Sequence, residues 1–591
     1  MIAHRIRRPA IHALIALATV APLTPARPTS DSPLAARPNG MKSAEPTHHV
    51  FIGATVHPEP GVVWQDGYIE IRDGVIVQAM DAATATLALP GDAVIHDLTG
   101  EHIYPAFIDP YIEVDAPAPD APGKHWSREV TPRRSALDGG GIDPDTAADR
   151  RDLGFAAGVI APKGGVFAGS AAVVSLAERP DDPSAEWQGV YRDNVFQCLR
   201  FKRNGWEGTY PTSVPGAVAL IRQTLIDADW QARQVPTRDG SHPADALTPL
   251  EDASTPLLFD CDHELKTFLA ADIASEFSRP AVLLGSGMEF KWLDGIADLG
   301  LPIIIPLRFP AKPDVSTVGK AESVELETMM TWEQAPTNPR RLREKMPDTD
   351  LALTASRLPR GRDFLDELRL AIENGLGEDD ALAMLTTAPA RLAGVADQLG
   401  TIENGKRANL LITSGPVFDE DTDFYDIWID GVPHTLTDRP GPDFDGTWHF
   451  FVGPEDKPFF EMTLEITGSH DSPNVVGTET WGEEGEQEPH SAQARKVVIE
   501  DNRISFLLDD EDDQRVTYII SGVLAENGLI RGTAVGPDDN TFQWAARKTG
   551  EPEDQADEPE QKQEQEPDDD DFEQAPPLPG YPFGPYAVKY E

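Results

Sequence analysis

Carboxylate side chains recur at the ends of two short apolar segments, and they are the groups in this sequence best suited to chemistry. Asp109, Glu113 and Asp115 lie in "GEHIYPAFIDPYIEVD", and Asp260 and Asp262 lie in "LLFDCDHEL". Oxygen ligands of this kind hold hard divalent cations, which can ionise water or polarise a carbonyl group. The competing explanation is that these carboxylates lie close together by chance, because 100 of the 591 residues are Asp or Glu.

Histidine, cysteine and glycine offer weaker candidates. His263 is predicted to be an exposed neighbour of a helix start, and His125 to pack on Trp126 or be solvated, rather than either being a ligand. No Gly-x-Ser-x-Gly sequence marks a nucleophilic serine. Cys198 and Cys261 are expected to be separate buried thiols rather than a disulfide, and Cys261 falls inside an apolar run. The glycines of "PKGGVFAGSAAV" fit neither phosphate-loop spacing, so a tight turn after a strand is predicted.

The elements that would position these side chains alternate along the middle of the chain. From about Gly100 to Leu399, brief apolar runs such as "GFAAGVIAP", "TPLLFD" and "LPIIIPL" alternate with helical stretches. This alternation predicts βα units and a parallel sheet. One helix is predicted over "RDFLDELRLAIENGLG", where Gly375 is placed to end it in a left-handed cap. Its apolar face is predicted to consist of Phe364, Leu365, Leu368, Ala371 and Ile372.

Short strands flank this region on both sides. The run "HVFIGATVHPEPGVVWQDGYIEIRDGVIVQAM" breaks at Asp66-Gly67 and Asp73-Gly74, which predicts strands joined by turns. From Gly446, segments such as "GTWHFFV", "RISFLLDD" and "RVTYIISGVL" alternate at regular spacing and predict an antiparallel barrel or sandwich. The end of the chain is acidic and rich in proline, so a disordered tail is expected.

Three stretches carry a more specific pattern: "YPAFIDPYIEVD", "LTTAPARLAGVADQLGTIENGKRANLLI" and the early run of short strands. Together, over roughly residues 49 to 440, they resemble the amidohydrolase superfamily, in particular its imidazolonepropionase-like branch of metal-dependent hydrolases. The resemblance implies a (β/α)₈ TIM-like barrel, flanked by a split β-sandwich, with its site at the C-terminal ends of the strands. It also implies hydrolysis of C–N bonds in amides and cyclic amides with one or two divalent metals. Asn409 stands where the closing motif usually has an Asp.

The predicted fold class is therefore α/β, with an all-β domain and an acidic tail added at the C-terminus. The predicted segments are a signal peptide (1–27), a linker (28–48), a split β-sandwich (49–99 and 400–440), the barrel (100–399), the antiparallel β-domain (441–549) and the tail (550–591).

The superfamily's metal-ligand positions carry other residue types in this sequence. The first-strand histidine pair falls on Tyr111 and Glu113, and the later histidine positions fall on Asp260 and Gly285. Ala355 occupies the position of the catalytic Asp. A protonated tyrosine is a poor zinc ligand, and glycine and alanine offer no ligating atom. The resemblance therefore implies a degenerate site, for which no cofactor is expected.

Charge and the first residues bear on partners and location. The 50 basic against 100 acidic residues give a formal charge of −50, which disfavours nucleic acid and anionic lipid as partners. Arg5, Arg7 and Arg8 precede an apolar run from Ala10 to Ala21, as in a secretory signal peptide. A short buried helix is the alternative. Export to the periplasm or the outside of the cell is therefore predicted, with no membrane span after cleavage.

Three functional hypotheses remain open at this stage. The first is an exported, catalytically inactive amidohydrolase relative that binds or assembles with an active amidohydrolase. The second is an active hydrolase of C–N bonds that uses a rearranged metal site with Zn, Fe or Mn on Asp109, Glu113, Asp260 and Asp262. The third is a module that binds a small ligand through the C-terminal β-domain.

Overall fold

The structure is a computed structural model, and it divides into one unit that ends at Asp438 and a second that begins at Arg439. The predicted signal peptide, nearly all of the predicted linker and the tail beyond Gly550 lie outside the described residues. The described residues are 47–82, 89–117, 125–178, 189–202, 210–233, 245–439, 444–454, 457–468, 473–481, 488–500, 502–509, 517–525, 528–536 and 540–550.

The first six strands follow the short β-branched runs seen in the sequence. In β3, Ile69 and Ile71 are buried while Arg72 is exposed, which is the period-two pattern of a strand with one covered face. Asp73 and Gly74 both have positive φ between β3 and β4, so the predicted hairpin turn there is confirmed. The strands are β1 (His48–Ile52), β2 (Thr55–Val56), β3 (Gly67–Arg72), β4 (Val75–Asp81), β5 (Val94–Asp97) and β6 (His102–Pro105).

The middle of the chain forms a barrel whose strands are almost wholly buried, except for the short exposed strand Val190–Arg192. Apolar residues fill both faces of these strands, as is usual where helices cover a parallel sheet. The strands are β7 (Phe107–Val114), β8 (Phe155–Pro162), β9 (Phe167–Ser170), β10 (Ala172–Ser175), β11 (Val190–Arg192), β12 (Gln197–Arg200), β13 (Leu257–Asp260), β14 (Ala281–Leu284), β15 (Ile303–Pro306) and β16 (Leu351–Thr354).

Strand direction departs from a strict (β/α)₈ barrel at one place. β7 and β8 are parallel, and β12 to β16 are mutually parallel. Between these groups, β10 pairs antiparallel with β8, and β9 pairs antiparallel with β12. A short loop with Gly164 and Gly165 at positive φ reverses the chain after β8, so the tight turn predicted there is confirmed and no helix separates β8 from β9. The predicted TIM-like barrel is thus confirmed with a reversed third strand. β16 lies beside β7 and closes it.

Helices alternate with most of the parallel strands, as the sequence predicts. α8 buries Phe364, Leu368 and Ala371, begins with a side-chain cap from Asp363, and is followed by Gly375 at positive φ. Within the described residues, no helix has both the length and the apolarity to cross a membrane. The helices are α1 (Pro144–Asp152), α2 (Val214–Ala232), α3 (Lys266–Glu276), α4 (Leu293–Ala297), α5 (Val318–Ser323), α6 (Leu326–Gln334), α7 (Asn338–Lys345), α8 (Phe364–Glu373), α9 (Glu378–Leu385) and α10 (Thr387–Leu392).

Three further strands complete the first unit: β17 (Leu410–Thr413), β18 (Phe424–Ile429) and β19 (Val432–Thr435). They form one sheet with the early strands, in the order β19-β18-β17-β6-β2, while the other early strands form a sheet in the order β4-β3-β1-β5. Phe51, Ile69, Ile103, Leu410 and Trp428 belong to one apolar core shared by the two sheets. Segments from before and after the barrel therefore build one small β-sandwich.

This sandwich contains a histidine pair that is expected to make its stability depend on pH. His57 Nε2 lies 3.2 Å from His102 Nδ1. Burial, with a further contribution from His102, lowers the pKa of His57 to about 4, and burial also lowers the pKa of His102. An unfolded histidine binds a proton near pH 6.5, so the unfolded state takes up more protons between these values. The stability from this pair is therefore complete above about pH 6.5 and is lost as the pH falls toward 4.

Thermal unfolding of the His57→Gln variant between pH 4 and pH 7 checks this expectation. The variant should lose part of the acid-side fall in Tm that the native chain shows. His263→Gln, at an exposed side chain, serves as the control and should retain the native profile. Identical profiles for all three proteins would contradict the assignment to the histidine pair.

The second unit is all-β. Its nine strands form one sheet in the order β23-β22-β21-β20-β28-β27-β26-β25-β24, and β23 also lies near β25, so the sheet curls into a nearly closed barrel. Its core includes Trp448, Phe450, Leu464, Ile520 and Trp544. The strands are β20 (Gly446–Val452), β21 (Phe460–Thr467), β22 (Asn474–Trp481), β23 (Glu488–Gln493), β24 (Arg495–Glu500), β25 (Arg503–Asp509), β26 (Thr517–Leu524), β27 (Leu529–Val535) and β28 (Thr541–Gly550).

Candidate functional site

Asp109, on the first barrel strand, is held by neighbouring elements. Its carboxylate is fully buried, lies 2.9 Å from Arg150 Nε on α1, and accepts a hydrogen bond from Thr354 Oγ1 at 2.6 Å. Thr354 Oγ1 also lies 3.1 Å from the Tyr111 carbonyl oxygen. Burial raises the pKa of Asp109, and the nearby Arg150 cation opposes that rise. Asp109 thus ties the first strand to α1 and to the eighth strand.

Tyr111 and Glu113 interact with each other and with an arginine from the fourth barrel strand. The Tyr111 hydroxyl donates to Glu113 Oε1 at 2.8 Å, and Arg200 Nη2 donates to the Tyr111 oxygen at 3.0 Å and to Glu113 Oε1 at 2.5 Å. Burial raises the pKa of Tyr111 well above its usual range. The phenol is therefore protonated at neutral pH and donates its proton to Glu113.

Asp260, at the end of the fifth barrel strand, lies between two arginines. Arg357 Nη2 is 2.7 Å from Asp260 Oδ2, and Arg200 Nε is 3.6 Å from the same oxygen. Arg357 has a φ of 68°, which is strained for a residue with a large side chain. Its guanidinium lies 5.4 Å from the centre of the Tyr111 ring. Asp260 and Glu113 are thus linked through cations, and we call Tyr111, Glu113, Arg200, Asp260 and Arg357 the mouth cluster.

The other candidate carboxylates have separate partners. Asp262 contacts Lys266 and lies 3.5 Å from Lys202. Burial alone would raise the pKa of Asp262, but the hydrogen bond from Lys266 outweighs it and the pKa is lowered. Asp115 is exposed and lies 3.6 Å from Lys163. Over the described part of the chain, no three His, Cys, Asp or Glu side chains are placed to share a metal ion.

Gly285 and Ala355, where the resemblance predicts metal-site residues, are small residues in buried positions. A Cβ atom added to Gly285 would lie 2.6 Å from Glu289 Oε1, and Glu289 is fully buried. Ala355 is also buried, next to Thr354 at the end of the eighth strand. Cys198 and Cys261 are free and buried, as predicted, and burial raises the pKa of Cys198 to about 12.

Comparison with known proteins finds a family match at the end of the first unit. The sequence profile of the amidohydrolase family matches residues 348–437, which include the eighth barrel strand and the closing motif. Over these residues the chain is similar to the amidohydrolase family.

One solved structure supports the fold of the first unit. A crystal structure of an amidohydrolase from Thermotoga maritima MSB8 has a TM-score of 0.52 and 21% identity, covering 66% of this chain and 100% of its own. A putative prolidase from Bifidobacterium longum has a TM-score of 0.38 and 14% identity, covering 67% of this chain and 96% of its own. A comparison with curated proteins found no match.

Asn409 is the departure in the superfamily's closing motif, and its amide group has a structural use. Its Nδ2 donates to the Tyr191 hydroxyl oxygen at 3.2 Å, while its Oδ1 accepts from the Asp430 backbone N–H at 2.8 Å. Asp430 Oδ2 accepts from the Tyr191 hydroxyl at 3.0 Å and from Ser175 Oγ at 3.2 Å. An ionised Asp at 409 would have no donor for Tyr191, whose own proton is already given to Asp430.

The sequence does not reveal the two arginines of the mouth cluster. Arg200 is the last residue of the strand "QCLR", and Asp260 is the last residue of the strand "LLFD". The two strands are adjacent and parallel, and their register pairs Arg200 with Asp260. A charge at the end of an otherwise apolar strand was the available signal. Arg357 follows Ala355 by two residues, and nothing in its local sequence indicates where its guanidinium lies.

Proposed function

We propose that this amidohydrolase-superfamily protein lacks metal-dependent catalysis and serves as a binding or assembly partner of an active amidohydrolase. The observation that carries the proposal is the pairing of Arg200 and Arg357 with Glu113 and Asp260. Two guanidinium cations within 2.5–3.9 Å of these carboxylates neutralise the charge that a divalent metal would need. Export through the segment 1–27 is part of the proposal, and mass spectrometry of the secreted chain's N-terminus tests it.

Metal analysis of the full-length protein tests the loss of catalysis. We expect far less than one equivalent of Zn, Fe or Mn after purification from metal-supplemented medium, and no hydrolysis of amide, cyclic amide or dipeptide substrates. Tyr111 is a donor, Gly285 and Ala355 supply no ligand, and the mouth cluster already balances its own charges. Stoichiometric metal that disappears in Glu113→Ala or Asp260→Ala would overturn the proposal, while Asp115→Ala is the matched control at an exposed carboxylate.

The partner role is supported by the intact scaffold combined with an added β-domain. Co-expression with amidohydrolases encoded nearby, followed by size-exclusion chromatography, tests it directly. A stable complex of defined stoichiometry is expected. Separate elution of the chain from each such enzyme would contradict the role.

One observation favours the second candidate function, an active hydrolase of C–N bonds with a rearranged metal site. Both carboxylate oxygens of Asp260 are buried and form no hydrogen bond with any described residue, although Arg357 Nη2 lies 2.7 Å from Oδ2 as an ion pair. Buried polar atoms without hydrogen bonds are uncommon. Under this reading, Asp109, Glu113, Asp260 and Asp262 would have to leave their present partners to share a metal.

A further inference from the structure

Among the described residues, the barrel of the second unit has one end where an aromatic side chain is buried, the closed end, and one where aromatic side chains are exposed, the open end. At the closed end Trp448 is 1% exposed and its Nε1 donates to the Phe444 carbonyl oxygen at 2.8 Å. At the opposite end Phe460 and Phe542 are 37% and 43% exposed.

The side-chain alternation of the strands places both phenylalanines on the inner face. Leu464 and Ile466 of β21 are buried in the barrel core, so Phe460, an even number of residues away, is on the same face. In β28, Trp544 and Ala546 are buried in that core, and Phe542 precedes Trp544 by two residues. These exposed aromatic rings therefore line the inside of the open end rather than the outer surface.

Trp544 lies at the base of this open end and has an unused hydrogen-bond donor. Its ring stacks on the ring of Phe450, with the two ring centres 4.8 Å apart. The far edge of the indole lies against Gly522, where an added Cβ would be 2.6 Å from the indole carbons. Trp544 is 3% exposed, and its Nε1 has no hydrogen-bond acceptor among the described residues. A buried donor without an acceptor costs about 1–3 kcal/mol, so an acceptor brought by a ligand would bind favourably there.

The neighbouring residues define the kind of ligand. The rings of Phe450 and Phe460 pack edge to face, with their centres 6.3 Å apart. Tyr518 and Phe542 both approach Gly536, where an added Cβ would lie 3.3 Å and 3.6 Å from their rings. These described side chains are aromatic, which favours a neutral apolar molecule, and the formal charge of −50 disfavours an anion.

We propose that the open end of the C-terminal barrel binds a small, neutral, apolar molecule through a hydrogen bond from Trp544 Nε1–H to an acceptor on the ligand. Phe460 and Phe542 flank the ligand at the rim. The proposal rests on the second unit alone, so it does not depend on the mouth cluster or on the loss of metal catalysis.

The neutral fluorophore 6-propionyl-2-dimethylaminonaphthalene tests this site, because its carbonyl accepts a hydrogen bond and its emission reports polarity. Titrated into the full chain, it should bind saturably with a blue-shifted emission. Trp544→Phe keeps an aromatic ring but removes the donor and should weaken binding about five- to tenfold, the value of one hydrogen bond. Phe542→Asp puts a charge on the exposed rim and should weaken binding more than tenfold. Trp448→Phe, at the closed end, should leave binding unchanged.

A second probe separates the hydrogen bond from apolar contact. N,N-dimethyl-2-naphthylamine has the same rings without the carbonyl, so its weaker binding should not respond to Trp544→Phe. Circular dichroism and thermal melts of each variant establish that it is folded; Phe542→Asp, at a rim position, should melt as the native chain does. Absence of saturable binding to the native chain, or equal binding by the native, Trp544→Phe and Phe542→Asp proteins, would overturn the proposal.

Discussion

Replacing Arg200 with methionine is expected to lower the free energy of unfolding of the first unit by about 3–5 kcal/mol. The side chain of Arg200 is 10% exposed and lies between Glu113 and Asp260. Burial alone would lower the pKa of Arg200, but Tyr111, Glu113 and Asp260 outweigh burial and raise it, so the guanidinium stays charged. Methionine fills similar volume but leaves Asp260, which is 5% exposed, with Arg357 as its one cation among the described residues. The cost is that of a buried charge deprived of a partner.

Urea unfolding followed by circular dichroism measures this loss. Arg222→Met is the matched control, because Arg222 pairs with Glu276 at 2.6 Å between side chains that are 43% and 44% exposed. An exposed pair contributes about 1 kcal/mol at most, so this variant should be close to the native chain. Equal losses in the two variants would show that the mouth cluster does not stabilise the barrel as a buried network.

The barrel and several local elements follow from the sequence because their signals are local. The Asp73-Gly74 turn needs two residues that accept positive φ, and α8 needs one apolar face with a cap at Asp363. Such requirements are written within a few residues of the element itself. The motif ending in "ANLLI" was equally informative, since it lies within the stretch that matches the superfamily.

The reversed third strand and the mouth cluster depend on distant pairings and could not be predicted in that way. The run of β9 and β10 is apolar on both faces in either direction, so its composition does not specify orientation. Arg200 and Asp260 meet because β12 and β13 pair in one register, and a single slip would place them apart. The carboxylates at 113 and 260 were recognised from the sequence, but their arginine partners were not.

Placing a histidine at Gly285 is expected to destabilise the first unit by about 3 kcal/mol or more and to yield no zinc binding. Any Cβ there meets Glu289 Oε1 at 2.6 Å, so the buried carboxylate must move. That carboxylate accepts backbone hydrogen bonds from Ser286 at 2.6 Å and Gly287 at 3.1 Å, and one from Asn338 Nδ2 at 2.8 Å. Moving it leaves buried donors unpaired, and hydrogen bonds to a charged group are worth more than neutral ones.

Urea unfolding and zinc titration calorimetry of Gly285→His test this expectation, with Gly285→Ala separating the effect of the Cβ from that of the ring. Gly319→Ala is the control for removing a helical or turn glycine, because nothing lies within 4 Å of its added Cβ, and it should gain up to about 1 kcal/mol. Native-like stability with stoichiometric zinc in Gly285→His would mean that the Glu289 carboxylate can move aside at little cost in stability. Zinc would then bind at position 285 after one substitution, whereas loss of stability without zinc means that the packing around Glu289 excludes a side chain there.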